Sequence, residues 1–112
     1  MNIKTVFVIG LLSLGVAAAS DAQVVSRAYE LSLNNFRPPA TENGSAAFKE
    51  CDECAQMLVR VTAATRYTVN GTTVRLDEFK KVLMQADDRE NVFVGVLHHL
   101  DSDTIKSIVV RI

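Results

Sequence analysis

The two cysteines of this chain, Cys51 and Cys54, are the residues whose spacing most directly suggests chemistry. A Cys-x-x-Cys pair that performs redox catalysis needs a stabilised thiolate, which a helix N-terminus or a nearby cation normally supplies. Here three acidic residues crowd the pair and a single lysine offsets them: Glu50, Asp52, Glu53 and Lys49. Because negative neighbours disfavour a thiolate, we expect a static disulfide that fixes a hairpin turn, and no catalytic thiol.

A metal site is the second kind of chemistry that these cysteines could support. A structural zinc ion takes four cysteine or histidine ligands, and the chain offers Cys51, Cys54, His98 and His99. The histidines follow a strand-like sequence, and adjacent residues of a strand point to opposite faces. Both could reach one metal only if the strand broke between them. A metal- or thiol-handling function of these four residues is therefore the alternative, and the main interpretation requires no cofactor.

The segment after the histidines holds residue types that also occur in hydrolases and calcium sites. His98, Asp101 and Ser102 are the types of a catalytic triad, but no Gly-x-Ser-x-Gly elbow is present, and triad members normally come from separated segments. Asp101 and Asp103 match half of an EF-hand loop, which also needs a central glycine and a later glutamate. We expect ordinary turn residues here and predict that the protein is not an enzyme.

The first 22 residues have the three parts of a secretory signal peptide: Lys4 in a basic start, an uncharged run over 5–20, and a zone of small residues. The apolar run is shorter than the roughly 17–25 residues of a membrane-spanning helix, and no stop-transfer charges follow it. Cleavage is possible before Ser20 or before Gln23, and the second is favoured. The sequence thus predicts a signal peptide over 1–22 and a single domain over 23–112, periplasmic or secreted, with no membrane anchor after cleavage. In an oxidising compartment two thiols this close usually form a disulfide.

The charge of the chain limits the classes of partner that it can bind. The 112 residues include 12 basic and 13 acidic ones, for a net charge of −1. Nucleic-acid-binding proteins usually carry a basic face or run, whereas arginine and lysine are scattered singly among acids here. Nucleic acid and anionic membrane surfaces are therefore excluded as main partners. Since every polar cluster has a structural explanation, the sequence favours an exported, non-enzymatic binding or structural module for an unknown protein or envelope component.

Alternation and turn residues predict strands over most of the domain. Residues 24–33 alternate as a half-buried strand does. A hairpin over 45–61 would place the cysteines at its turn. Asn70-Gly71 is a strong signal for a second hairpin, because both positions of such a turn must accept positive φ.

The C-terminal part combines one helix with two further strands. Apolar residues recur at helical spacing near 76–87: Leu76, Phe79, Val82, Leu83 and Ala86. Residues 92–97 are apolar on both faces, which suits a central strand covered on both sides. Residues 104–112 fit a strand or a short helix, and the strand is favoured because Ile, Val and Thr dominate. The predicted fold class is α+β: mostly antiparallel β hairpins, in a small open sheet or barrel, with one amphipathic helix.

The order of these motifs resembles that of small uncharacterised exported bacterial proteins with a compact β-rich domain. The motifs are Thr65-Arg66-Tyr67-Thr68-Val69-Asn70-Gly71, Leu76-Asp77-Glu78-Phe79, Asp101-Ser102-Asp103 and Ile108-Val109-Val110. This resemblance implies an exported β domain and brings no catalytic residues. Residues 67–96 are also similar to the periplasmic domain of ExbD/TolR transport proteins, which carry a transmembrane anchor, unlike the signal predicted here.

Overall fold

A computed structural model describes residues 25–112 of the chain, and the predicted signal peptide over 1–22 lies outside these described residues. The strands are β1 (Ser26–Ser32), β2 (Phe36–Arg37), β3 (Ser45–Phe48), β4 (Met57–Arg60), β5 (Arg66–Val69), β6 (Thr72–Val74), β7 (Phe93–His99) and β8 (Thr104–Arg111). One α-helix, α1 (Leu76–Gln85), follows β6, and short 3-10 turns cover Leu33–Asn35 and Arg89–Asn91. A strand-rich α+β fold with one helix is therefore confirmed for this part of the chain.

The strands form one open sheet in the order β1-β7-β8-β4-β3-β2, with β5 on β8 and β6 on β5. Five pairings are antiparallel, but β4 and β5 both run parallel to β8. The sheet is therefore open and mixed: most of its pairings are antiparallel, as predicted, and the two parallel pairings with β8 are an addition to that prediction. The reason is that β4 and β5 follow one another along the same edge of β8, with Arg60 beside Thr104 and Tyr67 beside Ile108.

Three hairpins are present, among them the two predicted over 45–61 and at Asn70-Gly71. β3 pairs with β4 across the segment that holds the cysteines, and β7 pairs with β8. Between β5 and β6, Asn70 and Gly71 adopt φ values of 49° and 89°, the positive values that this tight turn requires. The choice between strand and helix for residues 104–112 is settled in favour of the strand.

The β7–β8 pairing contains one irregularity that changes which side chains of β8 are buried. Leu97 pairs with Ser107 but His98 pairs with Ile105, so Lys106 is an extra residue on β8. A bulge of this kind reverses the alternation beyond it. As a result Ile105 is buried and Lys106 is exposed, whereas simple alternation from Ile108 would have put Lys106 on the buried side.

The core lies on one side of the sheet, where the helix packs. Phe79 of α1 contacts Tyr67 of β5, with ring centroids 5.1 Å apart. The sheet also curls, because Tyr29 on β1 and Phe48 on β3 have centroids 5.2 Å apart although three strands separate β1 from β3 in the sheet order. The curled sheet and the single helix together enclose one apolar core.

The other side of β7 is open, which corrects the expectation of a strand covered on both faces. Val94, Val96 and His98 are buried, while Phe93 is 63% exposed. Every described residue that packs as core lies on the same side of the sheet as α1. Residues 92–97 are apolar on both faces, but the described chain supplies cover for one face alone.

Candidate functional site

Cys51 and Cys54 lie in the turn of the β3–β4 hairpin, with their sulfur atoms 1.98 Å apart, at disulfide distance. The amide of Cys54 donates a hydrogen bond to the carbonyl oxygen of Cys51 at 3.1 Å. Asp52, between them, accepts a hydrogen bond from Nδ2 of Asn35 at 3.0 Å. The pair is thus built into an exposed turn, and such a bond suits an oxidising compartment. Redox or metal chemistry here would first require its reduction.

The two histidines lie on opposite faces of β7, as the sequence predicts. Nε2 of His98 is 2.7 Å from Oδ1 of Asp103, and its Nδ1 is buried without a partner among the described residues. His99 faces the other way, with Nδ1 3.0 Å from Oγ of Ser102. Over residues 25–112 no three His, Cys, Asp or Glu side chains cluster so that they could hold a metal ion. The metal- and thiol-handling alternative remains a prediction.

The contact between His99 and Ser102 has the distance of a base and a nucleophile, but it lacks the rest of a catalytic arrangement. Oγ of Ser102 also lies 2.7 Å from Oγ1 of Thr104. No hydrogen bond to Nε2 of His99 is found among the described residues, and catalysis needs a group that orients the base as well as donors for an oxyanion. The three side chains therefore form a local network that supports the β7–β8 turn.

The open side of β1, β7, β8 and β5, which we call the outer face, is the most distinctive surface of the described chain. Strand register arranges the residues of this face in three rows. The middle row holds Glu30, Gly95, Val109 and Thr68. The row on one side of it holds Ala28, Leu97, Ser107 and Arg66, and the row on its other side holds Phe93 and Arg111. Leu97 and Val109 are half-buried by their neighbours, and the Phe93 ring stands free. The centre of the face is apolar, and charged residues border it.

Gly95 makes a hollow at the centre of the outer face. The hollow has a volume of about 400 Å3 and is bordered by Glu30, Phe93, Val109 and Arg111. Gly95 does not have positive φ, and a Cβ placed on it would meet no atom closer than the Val109 carbonyl oxygen at 4.0 Å. Glycine inside a strand is roughly 0.5–1 kcal/mol less stable than alanine. Nothing within the described chain requires glycine here, and such a glycine often marks the close approach of a ligand or another backbone.

The charges around the hollow are divided between its two flanks. Glu30 on β1 is exposed on one side, and Arg111 on β8 and Arg66 on β5 are exposed on the other. Within residues 25–112 none of these three side chains takes part in an ion pair. The outer face therefore has an acidic flank and a basic flank separated by an apolar centre.

Fold and surface together define a small α+β domain with a mixed sheet and one open, apolar-centred face. Comparison of the chain with protein families, with curated proteins and with solved structures gave no match. Within residues 25–112 we find no candidate for a transmembrane helix.

The residues that matter most on the outer face, Phe93 and Gly95, were not candidates in the sequence. A signal was present, because a strand with apolar residues on both faces is interrupted by a central glycine. That pattern also fits a strand buried on both sides. Only the arrangement of the other elements shows which face is covered.

Proposed function

We propose that this chain is an exported, non-enzymatic protein-binding module and that the outer face is its binding surface. The observation that carries this proposal is the Phe93 ring, 63% exposed beside the hollow at Gly95. An apolar centre with an exposed aromatic ring and a charged border is the anatomy of a protein–protein interface. Burial of such a ring by a partner stabilises a complex because it removes apolar surface from water.

The other exposed apolar side chains are weaker candidates for a binding site than the outer face. Val25, Leu58, Met84, Leu100 and Ile112 are exposed too. Val25 and Leu100 are neighbours, joined by a backbone hydrogen bond of 2.9 Å. The other three come from separate parts of the chain, and single apolar residues are normal on protein surfaces. Met84 on α1, 81% exposed, is the most accessible of them, and it serves as the control position below.

Export is the second part of the proposal. The Cys51–Cys54 pair at disulfide distance supports it, together with the signal predicted over residues 1–22. We expect the protein recovered from an exporting bacterial host to begin at Gln23, in the periplasm or the medium. N-terminal sequencing and cell fractionation test this expectation. An uncleaved N-terminus, or recovery in the cytoplasm alone, would contradict it.

Site-specific photo-crosslinking tests the binding surface. A benzoyl-phenylalanine is placed at Phe93 in one variant and at Met84 in another, and both are irradiated in the exporting host. Both positions are exposed, but only Phe93 belongs to the outer face. We expect a discrete cross-linked protein product from position 93 and none from position 84. Equal products from both positions, or none from position 93, would overturn the proposal.

A further inference from the structure

We propose that the partner of the outer face is a second copy of this chain, bound face to face about a two-fold axis that runs along β7. This inference rests on the proposed function, because it names the occupant of the same surface. Such an axis lays β7 of one copy on β7 of the other. It also places β1 of each copy over β8 of the other.

The division of charge on the outer face is the first argument for this occupant. The two-fold axis exchanges the flanks, so Glu30 on β1 of each copy lies over the β8 strand of the other copy. Val109 lies in the same row as Glu30, so it is the β8 residue opposite Glu30 in the pair. Arg111 is two residues further along β8, on the same face. The two opposite charges therefore face each other twice in the pair. Neither side chain has an ion-pair partner among the described residues of its own chain.

Gly95 is the second argument. Without a side chain at this position, the hollow leaves room at the axis for the exposed Phe93 rings, which border it and would each be covered by the other copy. The single chain has no steric need for this glycine, since a Cβ finds no atom nearer than 4.0 Å. Room for the two Phe93 rings in the pair supplies a reason for it.

The first experiment measures self-association of the protein expressed with its complete N-terminal sequence, as the host processes it. Sedimentation equilibrium from low micromolar to near-millimolar concentration should fit a monomer–dimer equilibrium for the wild type. Gly95→Leu fills the hollow, and we expect at least a tenfold weaker dimer with a melting temperature of the dilute monomer that is unchanged or higher. Met84→Leu, an apolar exchange on α1, should leave the dimer unchanged.

The second experiment tests the pairing of Glu30 with Arg111 of the other copy by mixing two charge-reversal variants. Glu30→Arg and Arg111→Glu should each weaken the homodimer, because each variant places like charges opposite one another. An equimolar mixture should recover the dimer, because both contacts of the mixed pair then join opposite charges. A mixture that fails to recover the dimer would contradict the pairing of Glu30 with Arg111 of the other copy, and assembly beyond a dimer would contradict the two-fold axis.

The outcomes separate this inference from the proposed function. A wild-type protein that stays monomeric over the whole range overturns the self-association, while a product of different mass in the cross-linking at Phe93 would still support a binding module. A wild-type dimer that Gly95→Leu and both charge reversals leave unchanged would place the contact elsewhere and also overturn the inference. A cross-linked product at Phe93 with the mass of two chains supports it.

Discussion

Nε2 of His98 lies 2.7 Å from Oδ1 of Asp103, and this hydrogen bond ties the end of β7 to the turn that follows it. His98 is 7% exposed, whereas the Asp103 carboxylate reaches it from an exposed turn. Asp103 also has a φ of 54°, in the left-handed region that aspartate and asparagine tolerate better than most residues. One residue therefore supplies both the turn conformation and the partner of a buried imidazole.

We predict that Asp103→Ala destabilises the fold by about 2 kcal/mol, because it leaves buried His98 without its partner and puts alanine in a left-handed conformation. Asp103→Asn keeps an acceptor oxygen and the tolerance for positive φ, and should cost less than about 1 kcal/mol. Urea unfolding measures the free energy of unfolding of both variants. Equal stability of the two variants would show that the contact does not support the hairpin.

A second prediction concerns the alkaline stability of the protein. Burial raises the pKa of Tyr67 to about 12, and the negative charge of Glu42 adds to the rise. Between the ordinary value of 10.0 and this value the folded state holds a proton that the unfolded state has lost. The contribution of Tyr67 to the free energy of unfolding is therefore complete below the pKa of the unfolded state. It is lost as pH rises through the pKa of the folded state.

The chain has two tyrosines, so Tyr29→Phe leaves Tyr67 as the sole source of the tyrosinate absorbance. We expect that absorbance to appear near pH 12 in the folded variant and near pH 10 in denaturant. Tyr67→Phe should remove this part of the loss of folding stability at alkaline pH. It should not lower stability at neutral pH, because the hydroxyl has no hydrogen-bond partner within residues 25–112. Ionisation near pH 10 in the folded variant would contradict the prediction.

A third prediction concerns Thr65, which joins the corner between β4 and β5 to β8. Its Oγ1 donates to the carbonyl oxygen of Ile105 at 2.6 Å and accepts from the amide of Thr62 at 3.0 Å. Thr65→Val keeps the shape but leaves both backbone groups unpaired, at a cost of about 2–3 kcal/mol. Thr65→Ser keeps the hydroxyl and should cost about 1 kcal/mol for the lost methyl group. Chemical denaturation measures the free energy of unfolding of both variants. A smaller loss of stability in Thr65→Val than in Thr65→Ser would refute the role of the hydroxyl.

A fourth prediction concerns the disulfide. Replacement of Cys51 and Cys54 by serine opens a very small ring, so the loop-closure relation gives a loss of about 2 kcal/mol. The native fold should persist, because other hydrogen bonds hold the turn, among them that from Lys49 Nζ to the Asp52 carbonyl oxygen at 3.2 Å. Urea unfolding with and without reductant is the measurement. Reductant should destabilise the wild type and leave the double variant unchanged, and an effect on both would show that it acts elsewhere.

Local structure was largely predictable from the sequence because its causes are local. The Asn70-Gly71 turn follows from residues that accept positive φ, and α1 follows from apolar residues at helical spacing. The hairpin with Cys51 and Cys54 at its turn follows in the same way. Of the candidate site, the opposite directions of His98 and His99 were predictable, because alternation along a strand fixes them.

The outer face was not predictable from the sequence, for a physical reason. Apolar residues on both sides of β7 are equally compatible with two covered faces and with one covered face and one interface. Whether the second face of β7 is buried depends on how many other elements can pack on it. The one helix of the described chain has 10 residues and is only about 15 Å long, so it packs on one face alone. The pairing of both β4 and β5 with β8 likewise depends on contacts between distant parts of the chain.

Neighbouring residues and composition alone account for the main strands, the helix α1, the spacing that allows a Cys51–Cys54 bond, and the near-neutral charge. Contacts between distant parts of the chain make the sheet mixed, turn Ile105 inward at a bulge, and leave Phe93 and Gly95 on an open face. These features are set by long-range packing, in which one helix and a curled sheet bury one side of β7 and leave the other exposed.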